Sequence, residues 1–194
     1  MNAPRIVLAS TSRYRAQLLG RIVQHFEQAS PGVDETARPG EAPPARAARL
    51  ADAKARAVAA KRRDALVIGS DQVAALGDTV LHKPGDAQNA HQQLRASSRK
   101  TVDFYTAACV INTRDGHRQA ILDHTRVAFR ELTDAEIDRY IAHESPLDCA
   151  GSFRAEGAGI ALFERIESAD PTALIGLPLI ALAKALRDSG LAIP

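Results

Sequence analysis

Two charged side chains stand where a folded domain would place apolar ones. Pro43-Pro44 can open a helix, and the apolar spacing continues it to Arg63. The helical period puts Ala47, Leu50, Ala51, Ala55, Ala57 and Val58 on one face, with Arg49, Arg56 and Arg63 opposite. Lys54 falls in the middle of the apolar face. Such a lysine either snorkels out along its own stem or points a cation into a cleft to meet an anion. Asp71 is the second misfit, because it follows Leu66-Val67-Ile68-Gly69-Ser70 and precedes Val73-Ala74-Ala75. A carboxylate in an apolar strand needs a counter-ion, a metal or a shifted pKa. A plain structural ion pair would also account for it.

The next segment offers a partner. If Gly77-Asp78 form a two-residue hairpin turn, Leu76 pairs with Thr79, and counting back sets Gln72 opposite Lys83 and Asp71 opposite Pro84. Lys83 would then arrive beside the Asp71-Gln72 pair. The chain has 20 arginines and only 5 lysines, and Lys54 and Lys83 are two of the five. Such places suit a compact ammonium charge better than a planar guanidinium fork.

Phosphate chemistry would use these residues. A nucleoside triphosphate needs cations and hydroxyls for its oxygens, and carboxylates to hold a divalent metal. The chain supplies Ser10 and Ser12 with Arg13 and Arg15, then Glu35, Lys54, Asp71 and Lys83. No Gly-Lys-Ser/Thr phosphate loop, GxGxxG or His-Asp dipeptide is present. The six histidines show no metal-ligand spacing and read as surface or packing residues.

The elements that must hold these residues alternate. Ile6 to Ala9 reads as a buried strand that runs through the capping hydroxyls Ser10-Thr11-Ser12 into a helix from Arg13 to Leu19, stopped by Gly20. Pro31 to Gly40 is a polar loop carrying Val33-Asp34-Glu35. After the second helix come a strand from Leu66 to Leu76, its hairpin partner Thr79-Val80-Leu81, and a helix capped by Asp86 and running to Ser97. Thr101 to Asn112 and Gln119 to Leu132 read as long strands joined at Asp115-Gly116. Thr133-Asp134-Ala135-Glu136 is a capping box for a helix from Ala135 to His143. Strands at Gly159 to Ile166 and Leu174 to Ile175, separated by the turn Ala169-Asp170-Pro171, precede a final helix from Pro178 to about Ser189-Gly190. No repeat or linker interrupts the pattern, so residues 1–194 read as one α/β domain with a mixed sheet.

Composition sets the outer limits. At 194 residues, with 45% apolar and 25% charged side chains, the chain excludes disordered, collagen-like and membrane-spanning classes. A net charge of +2 is too balanced for a dedicated nucleic-acid binder. The seven-residue spacing of Arg49, Arg56 and Arg63 reads as a solvated helix face. With no Trp and 4% aromatic residues, the core is built from Ala, Leu, Val and Ile. Cys109 and Cys149 lack a CxxC spacing and read as reduced thiols in a cytoplasm. Ile6 to Ala9 is too short for a signal peptide, and the longest other apolar run, Thr172 to Ala183, falls short of the roughly 20 residues of a spanning helix.

The order of these segments resembles the Maf family. The resemblance rests on Leu8-Ala9-Ser10-Thr11-Ser12-Arg13-Tyr14-Arg15, Val33-Asp34-Glu35, Leu50-Ala51-Asp52-Ala53-Lys54-Ala55, Gly69-Ser70-Asp71-Gln72-Val73 and Lys83-Pro84. It continues through Cys149-Ala150-Gly151-Ser152-Phe153-Arg154-Ala155-Glu156-Gly157 and Gly176-Leu177-Pro178-Leu179, so it covers essentially the whole chain. It implies an α/β fold with an elongated mixed sheet flanked by helices and two lobes around a central cleft, similar to the inosine triphosphate pyrophosphatase fold. It also implies hydrolysis of a nucleoside triphosphate to the monophosphate and pyrophosphate with a divalent metal such as Mg, Mn or Co. Carried over by position, Asp71 resembles the catalytic base, Glu35 with Asp71 the metal carboxylates, and Ser10, Arg15, Lys54 and Lys83 the triphosphate cradle.

Asp71-Gln72 together with Glu156 looks like the branch acting on 7-methyl-GTP; the dTTP/UTP branch has Asp-Thr and a Gln there. Glu156 could accept the N1 and N2 hydrogens of the methylated base, and Tyr14, where that branch has tryptophan, could stack on its positive charge. The expected partner is a small nucleotide rather than a nucleic acid or a membrane, and the reading allows a homodimer. Two alternatives stand beside it: a dTTP/UTP or broad-specificity pyrophosphatase, and a non-catalytic nucleotide-binding regulator of septum formation.

Overall fold

A computed structural model describes residues 4–194. The elements are β1 (Arg5–Ala9), α1 (Arg13–Leu19), β2 (Glu27–Gln28), α2 (Pro43–Ala59), β3 (Ala65–Leu76), β4 (Thr79–Leu81), α3 (Ala87–Ser97), β5 (Thr101–Asn112), β6 (Arg118–Phe129), α4 (Asp134–Glu144), β7 (Phe163–Glu167) and α5 (Leu179–Asp188). The strands hydrogen-bond in the order β2-β1-β3-β5-β6-β7, and β4 pairs with β3. Parallel pairs (β1 with β2 and β3) and antiparallel pairs (β3 with β4, β6 with β7) make the sheet mixed. The fold is thus mixed α/β, a sheet flanked by helices, as the segment order implies.

The chain divides into two compact units. The first comprises residues up to 71, 106–123 and 170–194. Here β1 and β3 are buried on both faces, which is why Ile6 to Ala9 and Leu66 to Ile68 read as continuous apolar runs. Ile6, Leu8, Leu66 and Ile68 point one way, into a cluster with Leu18 and Leu19 of α1 and Leu182 and Leu186 of α5. Val7, Ala9, Ala65 and Val67 point the other way, onto Val58 of α2.

The second unit comprises residues 72–105 and 124–169. This aromatic-poor chain gathers four of its five phenylalanines there. Phe104, Phe129, Phe153 and Phe163 meet edge to face with ring centroids 4.7 to 5.6 Å apart. Thr133 forms the expected capping box with Glu136, and Asp86 caps α3 by accepting from the Asn89 amide.

Four expected boundaries are corrected. The second helix stops at Ala59 rather than Arg63. Val58 is its last buried residue, and the chain reverses through Asp64, at φ 52°, to enter β3. Arg63 therefore lies beyond the helix and off the stripe of Arg49 and Arg56. Strand β6 ends at Phe129 rather than Leu132, because its pairing slips between Ala128 and Phe129 and the Arg130 amide turns to Leu162 O. The strand expected from Gly159 is a 3-10 turn over Ala158–Leu162 followed by β7.

Leu174-Ile175 is likewise a 3-10 turn, Ala173–Ile175. There the Asp170 carboxylate accepts from the Thr172 amide at 2.9 Å, the Thr172 hydroxyl at 2.6 Å and the Ile180 amide at 2.7 Å. Local polar closure outcompetes a strand with so short an apolar run.

Candidate active site

Gly69 is the reason α2 can reach β3. A Cβ at Gly69 would lie 2.2 Å from Ala51 O and 2.5 Å from Ala55 N, so the helix backbone rests directly on the strand. Lys54, between those two alanines on the buried face, and Asp71, two residues on from Gly69, are thereby brought together. Lys54 Nζ donates to Asp71 Oδ1 at 2.6 Å and reaches Glu35 Oε1 at 2.8 Å. Lys54 is 5% exposed and Asp71 7%, so the lysine does not snorkel out: it is the counter-ion of the buried carboxylate. A buried pair of this kind adds little net stability over apolar packing, but loss of the lysine would leave Asp71 a buried charge without its counter-ion.

Glu35 arrives on a loop that arginines of α2 hold. Asp34 Oδ1 accepts from the Thr36 amide at 2.9 Å and its hydroxyl at 2.6 Å, turning the chain at Glu35. Arg46 donates to Glu35 O at 3.1 Å and Arg49 to Thr36 O at 3.2 Å. Arg49 also grips Glu41 with two hydrogen bonds, the second at 2.7 Å. Arg49, read from spacing as part of a solvated face, is therefore an anchor for the loop that presents Glu35. The Arg49 guanidinium holds the Glu41 carboxyl down to about 2, from an ordinary value near 4.5.

A depressed folded-state pKa means the contact is fully present above pH 4.5 and is lost as pH falls through about 2. Acid unfolding of wild type and Glu41→Gln should show it. The stability advantage of wild type stays constant above pH 4.5, shrinks below it and is gone near pH 2.

Ser10 and Arg15 form a second cluster in the same unit. Ser12 caps α1 by accepting from the Arg15 amide, while Ser10 Oγ, 4% exposed as a residue, receives the Ser12 amide at 3.1 Å and Arg15 Nη1 at 3.5 Å. Gln28 donates to Ser10 O at 3.1 Å. The carbonyl of Gly176, at φ 122°, accepts from both Arg15 Nε and Ser70 Oγ at 3.0 Å. That shared carbonyl links the guanidinium to Ser70, the residue next to Asp71. Burial lowers the Arg15 pKa, and the charges of Asp71 and Glu35 act against that lowering. Anionic and cationic groups thus share one neighbourhood: Ser10, Arg15, Glu35, Lys54 and Asp71 all belong to the first unit.

The remaining candidates are placed separately. Tyr14 is half-buried, with the Arg13 guanidinium 4.8 Å from its ring centre and Arg13 Nη2 donating to its hydroxyl at 2.7 Å. Gln72, Lys83 and Glu156 belong to the second unit. The hairpin starts in the expected register, Leu76 with Thr79, but the ladder ends at Ala74 with Leu81. The expected pairings of Gln72 with Lys83 and Asp71 with Pro84 are not part of it. Pro84 has no amide to donate, and its carbonyl accepts from Asn89 at 3.1 Å, while the Gly85 amide goes to Leu147 O. Lys83 is exposed on this non-strand segment.

Exposed Glu156 sits in a closely wired segment. Glu144 takes Arg154 Nη1 at 2.9 Å and the Ala158 amide at 2.7 Å, the Tyr140 hydroxyl takes the Arg154 amide at 3.0 Å, and Ser152 donates to Gln93 at 2.7 Å. Neither the Gln93, Tyr140 and Glu144 supports nor the Gly176 carbonyl could be found by spacing, because each lies far from its target in sequence.

The oxygen-only pair of Glu35 and Asp71 suits a hard divalent cation. Their closure on one ammonium shows that a cation fits between them. No group of three His, Cys, Asp or Glu side chains gathers as a metal cage among the described residues. Further ligands would come from phosphate oxygens and water, the usual arrangement for Mg2+. Both cysteines are free, and burial beside Asp52 pushes the Cys109 thiol up to about 11, which makes it inert.

Comparison with known proteins bears on the chemistry. A family model described as "Maf-like protein" matches residues 5–189. A 7-methyl-GTP pyrophosphatase of Nitrosococcus oceani is 51% identical over 187 residues, covering 96% of this chain and 94% of the relative. One from Xanthomonas axonopodis pv. citri is 54% identical over 191 residues, 98% and 100% of the two chains. One from Aromatoleum aromaticum is 53% identical over 194 residues, the whole of both.

Proposed function

The chain belongs to the Maf family, and from that premise we propose that it hydrolyses 7-methyl-GTP to 7-methyl-GMP and pyrophosphate, clearing a modified nucleotide from the pool. Identities of 51 to 54% over nearly the full length support the substrate. The observation that carries the chemistry is the buried Asp71 held at 2.6 Å by Lys54, with Glu35 at 2.8 Å from the same ammonium.

In this reading Asp71 takes the proton of the water that attacks the α-phosphorus. Lys54 and Arg15 carry the growing charge of the departing pyrophosphate, and Ser10 offers its hydroxyl to a phosphate oxygen; Lys83 is assigned to the triphosphate on the strength of the resemblance. Glu35 and Asp71 would hold a divalent cation of the Mg, Mn or Co kind, which when bound supplies charge neutralisation at the phosphates and polarises water. Arg15 is aimed before substrate arrives, because Gly176 O and Ser10 Oγ already fix its guanidinium. Gln72, Glu156 and Tyr14 are assigned to the base on the strength of the resemblance.

A panel of 7-methyl-GTP, GTP, UTP and dTTP, with pyrophosphate and phosphate measured separately, tests the proposal. The expected result is the highest kcat/KM for 7-methyl-GTP with pyrophosphate as product. Preference for UTP or dTTP, or release of the γ-phosphate, would overturn it. Glu156→Gln should lower kcat/KM for 7-methyl-GTP by about 10-fold to 100-fold, the worth of one hydrogen bond to a charged group, and leave UTP nearly unchanged.

No helix among the described residues is long and apolar enough to cross a membrane. A cytoplasmic setting, where nucleotides and free thiols coexist, belongs to the same proposal. Light scattering on the purified protein would distinguish a monomer from a homodimer.

A further inference from the structure

Two carboxylates from different elements close on Lys54, yet it is no ordinary structural cation. Lys54 and Asp71 are buried while the Glu35 side chain is 56% exposed, so the cluster is open on the Glu35 side. The ammonium occupies the space between the carboxylates, where a divalent ion bound by both would sit. It contacts one oxygen of each carboxylate.

A bound metal and the ammonium cannot both keep these places, because like charges a few ångströms apart in a poorly solvated site repel strongly. The other buried residues on α2, Ala47, Leu50, Ala51, Ala55 and Val58, offer a displaced ammonium no anion. Arg15, whose charge interacts with the same two carboxylates, is itself a cation. Free metal would therefore have to strand a buried charge, which is costly. A triphosphate removes that penalty by giving the ammonium a phosphate oxygen.

We infer that Lys54 is a resident counter-cation that excludes free divalent metal from Glu35 and Asp71 and yields the place only when triphosphate and metal bind together. This rests on the proposed role of Glu35 and Asp71 as metal carboxylates. Metal and nucleotide then bind with positive coupling, and by linkage each raises the affinity of the other. The site stays unloaded in the absence of substrate.

The test is direct Mn2+ binding, read from the electron paramagnetic resonance of free Mn2+, without turnover. Wild type, Lys54→Met, Lys54→Gln, Glu35→Gln and Asp71→Asn are compared, each checked by thermal melting. Lys54→Met keeps most of the stem on an apolar face, and Lys54→Gln serves if Met alters the fold. Without nucleotide, Lys54→Met should bind Mn2+ at least tenfold more tightly than wild type. A triphosphate analogue with a methylene α,β-bridge should raise the affinity of wild type more than that of Lys54→Met.

Equal or weaker Mn2+ binding by both Lys54 variants overturns the counter-cation role. If Glu35→Gln and Asp71→Asn still weaken Mn2+ binding in that case, the metal assignment itself stands. If neither carboxylate variant changes Mn2+ binding to wild type with the analogue, the metal assignment falls and the counter-cation role falls with it.

Discussion

Asp71→Asn should lower kcat by about 100-fold to 10,000-fold, the range that a positioned general base contributes, while nucleotide binding persists. The substitution is nearly isosteric in a site that is 7% exposed. The new amide oxygen can still accept from Lys54 Nζ, and Lys54 keeps its 2.8 Å contact with Glu35. No charge is left stranded, so folding is retained; the expected loss of stability is about 1–3 kcal/mol, that of one weakened buried hydrogen bond to a charge. Calorimetric titration with a non-hydrolysable triphosphate in the absence of divalent metal should give a Kd within a few-fold of wild type, and single-turnover kinetics at saturating metal and substrate should show that the loss lies in the chemical step. A variant that keeps its full rate would place the base elsewhere.

Gly69→Ala should do the greatest structural damage of any single methyl group near the site. Its Cβ would meet Ala51 O at 2.2 Å, Ala55 N at 2.5 Å and Ala55 Cβ at 2.9 Å. Two of these atoms belong to the helix backbone, and no rotamer change relieves them. Helix α2 must move off the strand, which costs about 3 kcal/mol at the upper end of ordinary overpacking. For a chain of this size that is a fall in Tm of about 6–12 °C. Because Lys54 rides on α2 and Asp71 on β3, turnover should fall as well, even at temperatures where the variant is folded. Gly20→Ala is the control. There the nearest contacts are 3.4 and 3.5 Å and the backbone is helical at φ −59°, so its Tm should stay at or slightly above that of wild type.

Lys54 and Asp71 were legible in the sequence because each breaks a periodic pattern, and periodicity is what burial imposes on a helix or a strand. Their pairing with each other was not legible. A hairpin count pointed instead to Lys83, since register within one hairpin can be counted and the packing of α2 on β3 cannot. The signal for that packing was Gly69 beside the small residues Ala51 and Ala55, and it becomes meaningful only once helix and strand are known to be neighbours. Arg49 was misread for a related reason: on a helical wheel it lies away from the core, but Glu41 and Thr36 fold back to meet it. The missed 3-10 turn at Ala173–Ile175 is closed by polar side chains, Asp170 and Thr172 foremost, whose hydrogen bonds outweigh the apolar character of their neighbours.

The hydrogen bond from Arg15 to Gly176 spans 161 residues of sequence. Arg15 leaves the ribosome early and its Gly176 acceptor late, so during synthesis the guanidinium has only its neighbour Ser10 to hold it until almost the entire first unit has emerged. A nascent chain lacks both the Gly176 carbonyl that holds the arginine and the leucines of α5 against which α1 packs. A ribosome that stalls before residue 176, or a message that ends early, thus yields a polypeptide with Asp71 and Lys54 but no oriented guanidinium. The two-point fixing of this arginine is completed only in the closing stretch of translation.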